Sequence, residues 1–254
     1  MTEQVERILV WFSCGTSSAV ALKLALDKYG SRVQAVYCDT SKNEHPDNMR
    51  FMRDVESWLG VKVEIIKSQK FTTVEEVFES RRFMGGVNGA PCTVELKKVP
   101  RFAYQRPGDT HIFGYAADEK RRIANFAAVN HDLALEWILR DQNIKKVNCF
   151  SILQKAGITP SQPYLEGFEH SNCIGCVKAT SPTYWSLIKR LYPDVWKSRV
   201  EQSRRFGAKL LVIKGKRMFL DELPDGVKFY ERLKQINCGP ECSGEVPDYA
   251  KESK

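Results

Sequence analysis

The sequence predicts an α/β protein built on a doubly wound parallel sheet, followed by a smaller region of different character. Three observations predict it. A continuous apolar run, Ile8-Leu9-Val10-Trp11-Phe12, has the length of a strand covered on both faces and ends in small residues. Strand-like and helix-like patterns then alternate. Near Phe150 that alternation fades into prolines, aromatics and cysteines. In order, Ala19 to Leu26 reads as a helix closed at Tyr29-Gly30, and Val33 to Cys38 as a second strand. From Asn48 to Leu59, Met49, Phe51, Met52, Val55, Trp58 and Leu59 fall at helical spacing up to Gly60. Val61 to Ile66 and Thr110 to Tyr115 are the third and fourth strands. Right-handed crossovers wind such strands into one layer, with ligands off their C-terminal ends. The reading places a nucleotide-binding domain at 1–150 and a mostly helical, cysteine-containing region at 151–254, with a tail after Cys242 expected to lack order.

With 254 residues, 43% of them hydrophobic, the chain can bury a sizeable core without disulfides. Its net charge of +8 favours an anionic partner. The N-terminus has no basic segment leading into an apolar stretch of signal-peptide length, and no later segment approaches a membrane span. The expectation is a cytoplasmic protein with no membrane partner. In that reducing compartment, the eight cysteines are read for metal or sulfur chemistry.

A strand that feeds a loop of small and hydroxyl residues and then a helix is a phosphate cradle, because backbone N–H groups and the helix N-terminus attract anionic oxygens. Ser13, Cys14, Gly15, Thr16, Ser17 and Ser18 form that loop. It lacks the Gly-Lys-Ser/Thr ending of a Walker A motif, which disfavours γ-phosphate transfer. The second strand ends in Cys38-Asp39-Thr40, and the fourth runs into Gly114-Tyr115-Ala116-Ala117-Asp118-Glu119-Lys120-Arg121-Arg122. Among the cysteines, Cys92 stands in Ala90-Pro91-Cys92-Thr93-Val94-Glu95-Leu96-Lys97-Lys98-Val99-Pro100, and Cys173-Ile174-Gly175-Cys176 is a C-x-x-C whose thiolates can share one soft metal. Cys238 and Cys242 follow. Cys38 and Cys149 read as small buried hydrophobes.

These segments resemble, in order, those of the PP-loop ATP pyrophosphatases. Ser13 to Ser18 is similar to their Ser-Gly-Gly-x-Asp-Ser loop, with Cys14 in place of a glycine and Ser17 in place of the aspartate. The segment from Asp39 to Asp47 resembles the Asp-Thr-Gly-x-x-Phe-Pro-Glu-Thr segment of the phosphoadenylyl-sulfate reductase branch. Gly114 to Arg122 resembles the element beyond the fourth strand, and Cys92 to Pro100 the Cys-Cys-x-x-x-Lys-x-x-Pro segment, with one of its two cysteines. The resemblance implies a Rossmann-like sheet of the adenine nucleotide α-hydrolase type, binding ATP and Mg²⁺ and cleaving ATP between its α and β phosphates.

It further implies that Ser13 to Ser18, Asp39, Thr40 and Gly114 hold the nucleotide, and that Lys97, Asp118, Glu119 and Arg122 act in catalysis. Asp118 and Glu119 would supply the magnesium ligands that Ser17 cannot. Cys92, Cys173 and Cys176 are the arrangement that holds a [4Fe-4S] cluster in several such enzymes, with Cys242 as a further ligand; zinc is the alternative. The nearest group is the ATP-pyrophosphatase component of bacterial DNA phosphorothioation systems, which implies a cysteine desulfurase as sulfur donor, DNA as target and, by analogy, a homodimer. Sulfate-nucleotide reduction, tRNA thiolation and a non-catalytic ATP sensor stand as alternatives.

Overall fold

A computed structural model describes residues 6–86 and 89–226. Cys238, Cys242 and the tail lie outside the described residues. Five strands form one sheet: β1 (Ile8–Phe12), β2 (Val33–Cys38), β3 (Val63–Ile66), β4 (Thr110–Phe113) and β5 (Ala134–Glu136), in the order β3-β2-β1-β4-β5. Every pairing is parallel, with Ile8 opposite Val33 on one side and Thr110 on the other. The chain is therefore an α/β protein with a Rossmann-like sheet. The strand order reverses between β1 and β4, and their C-terminal ends flank the crevice where such sheets bind ligands.

The apolar run of β1 is buried throughout because both faces are covered. On one face, Ile8, Val10 and Phe12 join Ala19, Val20, Ala21, Leu22 and Ala25 of helix α1 (Thr16–Tyr29) and Phe51, Met52 and Val55 of α2 (Asp47–Leu59) in a single core. On the other, Leu9, Trp11 and Val36 pack with Cys38, Ile66, Tyr104 and Phe113. There Trp11 stacks on His111 and donates its indole N–H to His111 Nδ1 at 3.1 Å. Burial lowers the His111 pKa, which favours the neutral ring that can accept this bond.

After β3 come α3 (Val74–Arg81), the short turn α4 (Pro91–Thr93), a π-helical stretch Val94–Lys98 and α5 (Val99–Tyr104). Helix α6 (Lys120–Val129) joins β4 to β5, and α7 (Ile138–Asp141) and α8 (Lys146–Lys155) follow. Ile138, Leu139, Cys149 and Leu153 bury against the α1 core. That packing keeps α8 with the sheet.

The chain divides into two compact units, one holding the chain up to Val77 and Cys92–Ser161, the other Phe78–Pro91 and the chain from Gln162. The sequence places the boundary at 150. The compact division falls at Ser161, and an inserted segment from the first half belongs to the second unit. That unit contains α9 (Gln162–Leu165), α10 (Pro182–Leu191), α11 (Pro193–Arg205) and a hairpin of β6 (Leu211–Ile213) and β7 (Lys216–Met218). Trp185, fully buried, meets Tyr184 and Trp196 and bonds its indole N–H to the Ala179 carbonyl at 2.9 Å. No helix among the described residues is long and apolar enough to cross a membrane.

At the opposite end of the sheet from the crevice, Arg7 grips Asp109 through two bonds, Nε to Oδ1 at 2.9 Å and Nη2 to Oδ2 at 2.6 Å. The pair ties the start of β1 to the start of β4. Burial alone would raise the Asp109 pKa, but the Arg7 bonds and the Arg106 N–H at 2.7 Å hold it below the ordinary value. A carboxylate with a depressed folded pKa stabilises fully above its unfolded value, near about 4, and loses that contribution as pH falls through the folded value. Wild-type stability should therefore show an acid limb below about pH 4 that Asp109→Asn reduces, while the variant loses about 3 kcal/mol near neutrality in urea unfolding. Identical curves would show that this pair does not pin the strands.

Candidate functional site

The loop after β1 is shaped by its own residues. Cys14 takes a left-handed backbone, φ +54°, and its fully buried side chain joins the core rather than the solvent side. This turn brings Gly15 to the N-cap of α1 in extended conformation. Ser18 braces it from inside: its Oγ accepts the Ser13 N–H at 3.2 Å and donates to the Gly15 carbonyl at 2.9 Å. The first helical bond runs from Ala19 N–H to Gly15 at 3.1 Å, so the amides of Thr16, Ser17 and Ser18 precede the helical ladder. No side chain caps this end, and its first turn holds no acidic residue. The positive end of the helix dipole thus meets no carboxylate within its own first turn. Thr16 Oγ1 is buried with no hydrogen-bond partner among the described residues.

β4 closes the crevice from the other side. A Cβ on Gly114 would stand 2.6 Å from the Ser18 nitrogen and 2.7 Å from its Cα, so only glycine lets the strand end lie on the loop backbone. The resemblance implies Gly114 as a nucleotide-holding residue; in the structure its close contact is the loop itself.

The residues beyond Gly114 serve the frame as well as the crevice. Asp118 Oδ1 accepts the Lys146 N–H at 3.2 Å, at the start of α8. Glu119 accepts the Ala116 N–H at 3.0 Å with one oxygen and pairs with Arg122 through the other. Arg122 also lies over the Tyr115 ring, 5.0 Å from its centroid. Both Glu119 oxygens are engaged, whereas Asp118 keeps one without a hydrogen bond among the described residues. Ser17 bonds the thiol of Cys149 on α8, and burial pushes that thiol up to about 11 against the opposing effect of Ser17. Ser17, Asp118 and α8 are thereby linked across more than 100 residues of sequence.

At the end of β2, Asp39 Oδ1 accepts the Ser41 N–H at 3.0 Å and its hydroxyl at 2.6 Å, closing a local turn and leaving Oδ2 without a hydrogen bond among the described residues. Thr40 is buried and donates to Glu44 Oε1 at 2.5 Å. Glu44, whose side chain is 1% exposed, also accepts from Tyr37 at 3.0 Å and Asn48 at 2.9 Å, with Lys97 Nζ 3.8 Å away. Thr40 is thus a strut in a buried network, and Lys97 supplies the positive charge beside it. The Cys38 thiol donates to the Lys97 carbonyl at 3.6 Å. Burial raises the Cys38 pKa to about 11, opposed by Lys97 and Arg101.

Arg101 is a site feature that sequence reasoning missed. It is 6% exposed, bonds Asn130 Oδ1 at 3.0 Å, and lies over Phe102, Phe113 and Phe126. Its Nε has no hydrogen-bond partner among the described residues, and burial lowers its pKa. Arginine is seldom buried, so only the aromatics around it could have signalled this position.

The cysteines fall in both units. Cys92 lies in α4, in the first; Cys173 and Cys176 form one turn in the second. The Tyr184 hydroxyl accepts the Cys176 N–H at 2.7 Å and donates to the Cys173 carbonyl at 3.3 Å, while Arg199 Nε bonds the Gly175 carbonyl at 3.0 Å. Gly175, at φ +69°, has Val195 Cγ1 only 2.7 Å from where a Cβ would stand. Among the described residues, no three of His, Cys, Asp and Glu form a group that could hold a metal ion. Cys242 lies outside them.

No protein-family model matches the chain, and no curated protein matches it in sequence. The site is therefore read on its own chemistry. Donor-rich backbone and a helix N-terminus with no acid in its first turn suit a polyanionic ligand such as a polyphosphate.

Gly114→Ala puts a methyl group into the Ser17–Ser18 backbone. It should destabilise the protein by about 1–3 kcal/mol and weaken binding of a non-hydrolysable ATP analogue by about tenfold or more. Thermal unfolding and calorimetric titration check both. Unchanged affinity would separate the loop from the ligand.

Proposed function

We propose that this chain is an ATP pyrophosphatase of the adenine nucleotide α-hydrolase type that adenylates a substrate for sulfur insertion, with the DNA backbone as acceptor. One observation carries the reading: the uncapped, acid-free N-terminus of α1, with the orphaned Thr16 hydroxyl, opens at the β1–β4 switch point where Gly114 meets the loop. Amides before the first helical bond would hold the pyrophosphate portion of ATP. A substrate oxygen attacks the α-phosphorus, the bond to the bridging oxygen of the β-phosphate breaks, and pyrophosphate leaves. The outer sulfur of a persulfide then displaces AMP, and a second thiol attacks the inner sulfur, breaking the S–S bond to form a disulfide and leaving the outer sulfur on the substrate. A cysteine desulfurase as sulfur donor and DNA as acceptor follow from the resemblance, with the net charge of +8 in support.

Asp39 and Asp118 each retain one carboxylate oxygen without a hydrogen bond among the described residues, and such oxygens suit a magnesium ion, which takes one or two carboxylates beside phosphate oxygens and water. Magnesium would supply charge neutralisation on the leaving pyrophosphate. Glu119, with both oxygens engaged, acts in this account by fixing Arg122 and the 116–119 turn. Lys97 stands beside Glu44 with its side chain 42% exposed and adds positive charge to this side of the site. The [4Fe-4S] cluster or zinc that the resemblance implies on Cys92, Cys173, Cys176 and Cys242 has no part in this step; among the described residues no three such ligands form a group.

A second reading, an ATP-binding sensor without hydrolysis, is favoured by Ser17, whose hydroxyl is held by Cys149 where related loops carry aspartate. Incubation with α-labelled ATP and magnesium, with and without duplex DNA, distinguishes the two. AMP with pyrophosphate is the expected result, and Thr16→Val should lower the rate about tenfold or more. ADP with phosphate contradicts the proposal. Tight binding without cleavage favours the sensor.

A further inference from the structure

Between Glu201 and Asp221 the chain carries six cations and no acid. Arg204 is paired with Asp221 and Arg205 with Glu79. The other four, Lys209, Lys214, Lys216 and Arg217, have no ion pair among the described residues and are all exposed. All four belong to the β6–β7 hairpin and its entry, so ten residues, 209–218, hold +4 of the chain's net +8.

The hairpin is firmly built. Leu210 and Leu211 are buried, β6 packs on α10, and the Val212 N–H bonds the Thr180 carbonyl at 2.9 Å. Ile213 pairs with Lys216 across a two-residue turn, Lys214-Gly215. Both turn residues are left-handed, at φ +48° and +77°. Asparagine or glycine normally fills the first of these positions, and a lysine there costs about 1 kcal/mol. The tip thus presents a cation at a conformational cost that a neutral turn residue would avoid. Behind it, Arg217 Nη1 bonds the Lys209 carbonyl at 3.3 Å and Lys209 Nζ lies 5.5 Å from the Phe219 ring centre. Adjacent on an extended strand, Lys216 and Arg217 project to opposite faces, so positive charge surrounds the tip.

We infer that the β6–β7 hairpin is a contact for duplex DNA, its tip entering the major groove and its four cations meeting the phosphate walls. A groove about 12 Å wide admits a two-stranded ribbon, whereas the major groove of an RNA duplex is too narrow for side-chain reading. Residues 209–218 include no aromatic on which the bases of a single strand could stack. The inference deepens the acceptor side of the proposed function and rests on that reading for the choice of a biological duplex, but not on ATP cleavage.

The test is fluorescence anisotropy with the full chain and a labelled 20-base-pair duplex, without ATP, across a salt series. Two variants remove equal charge: Lys214→Gln, Lys216→Gln and Arg217→Gln on the hairpin, and Lys23→Gln, Lys62→Gln and Lys155→Gln elsewhere. The hairpin variant should bind about tenfold or more weakly, and its slope of log affinity against log salt should fall by about 2–3, one counterion term per lost phosphate contact. The second variant should stay close to wild type. Equal losses in both would reduce the effect to net charge and overturn the inference. So would a wild-type chain that fails to bind the duplex, or that binds RNA or single strands more tightly. ATP cleavage, measured separately, should be unchanged in the hairpin variant, so failure of the DNA contact and failure of the pyrophosphatase reading are read independently.

Discussion

At the C-terminal edge of the sheet, the backbone of Gly114 lies on the Ser17–Ser18 peptide so closely that any side chain there would collide with it. Parallel strands flanking a switch point ordinarily diverge into loops that are free to separate. Here the end of β4 is seated on the first turn of α1. The position of that turn then depends on β1 and β4 keeping register, which the Arg7–Asp109 pair secures at the opposite end of the same two strands.

Around this contact, groups that could serve chemistry are divided between structure and site. Glu119 and Thr40 are committed to the frame by short bonds within it. Ser17 and Asp118 tie the loop and the 116–119 turn to α8. The charge that remains at the loop is positive: the first amides of α1 precede the helical ladder, and the half-exposed Lys97 lies beside Glu44. Burial holds the Cys14, Cys38 and Cys149 thiols above their ordinary pKa, so these three act as packing groups rather than nucleophiles near neutral pH.

Much of the sheet was legible in sequence because burial on both faces writes a continuous apolar run, and β1 and β2 have the bounds read from that pattern. Helix α1 begins at Thr16, three residues before its apolar pattern, since Gly15 and polar residues make its first turn. β3 and β4 each lose two residues, because Val61-Lys62 and Gly114-Tyr115 lie outside the pairing. Three-residue β5 on the sheet edge carries no periodicity to find. The β6–β7 hairpin hides for a similar reason, its strands too short and too charged to alternate. Within the candidate site, the loop was readable from local composition, whereas Gly114 entered only through the resemblance. The Ser17–Cys149 bond, the capping duties of Asp118 and Glu119, and the aromatic seat of Arg101 arise from contacts between distant segments and leave no local signature.

The most direct measurement is a crystal structure of the protein with α,β-methylene-ATP and magnesium. The account expects the β and γ phosphates within hydrogen-bonding distance of the Thr16, Ser17 and Ser18 amides, about 2.7–3.2 Å, with the adenosine between the ends of β1 and β2. An analogue bound elsewhere, or seated with those amides unengaged, would contradict it.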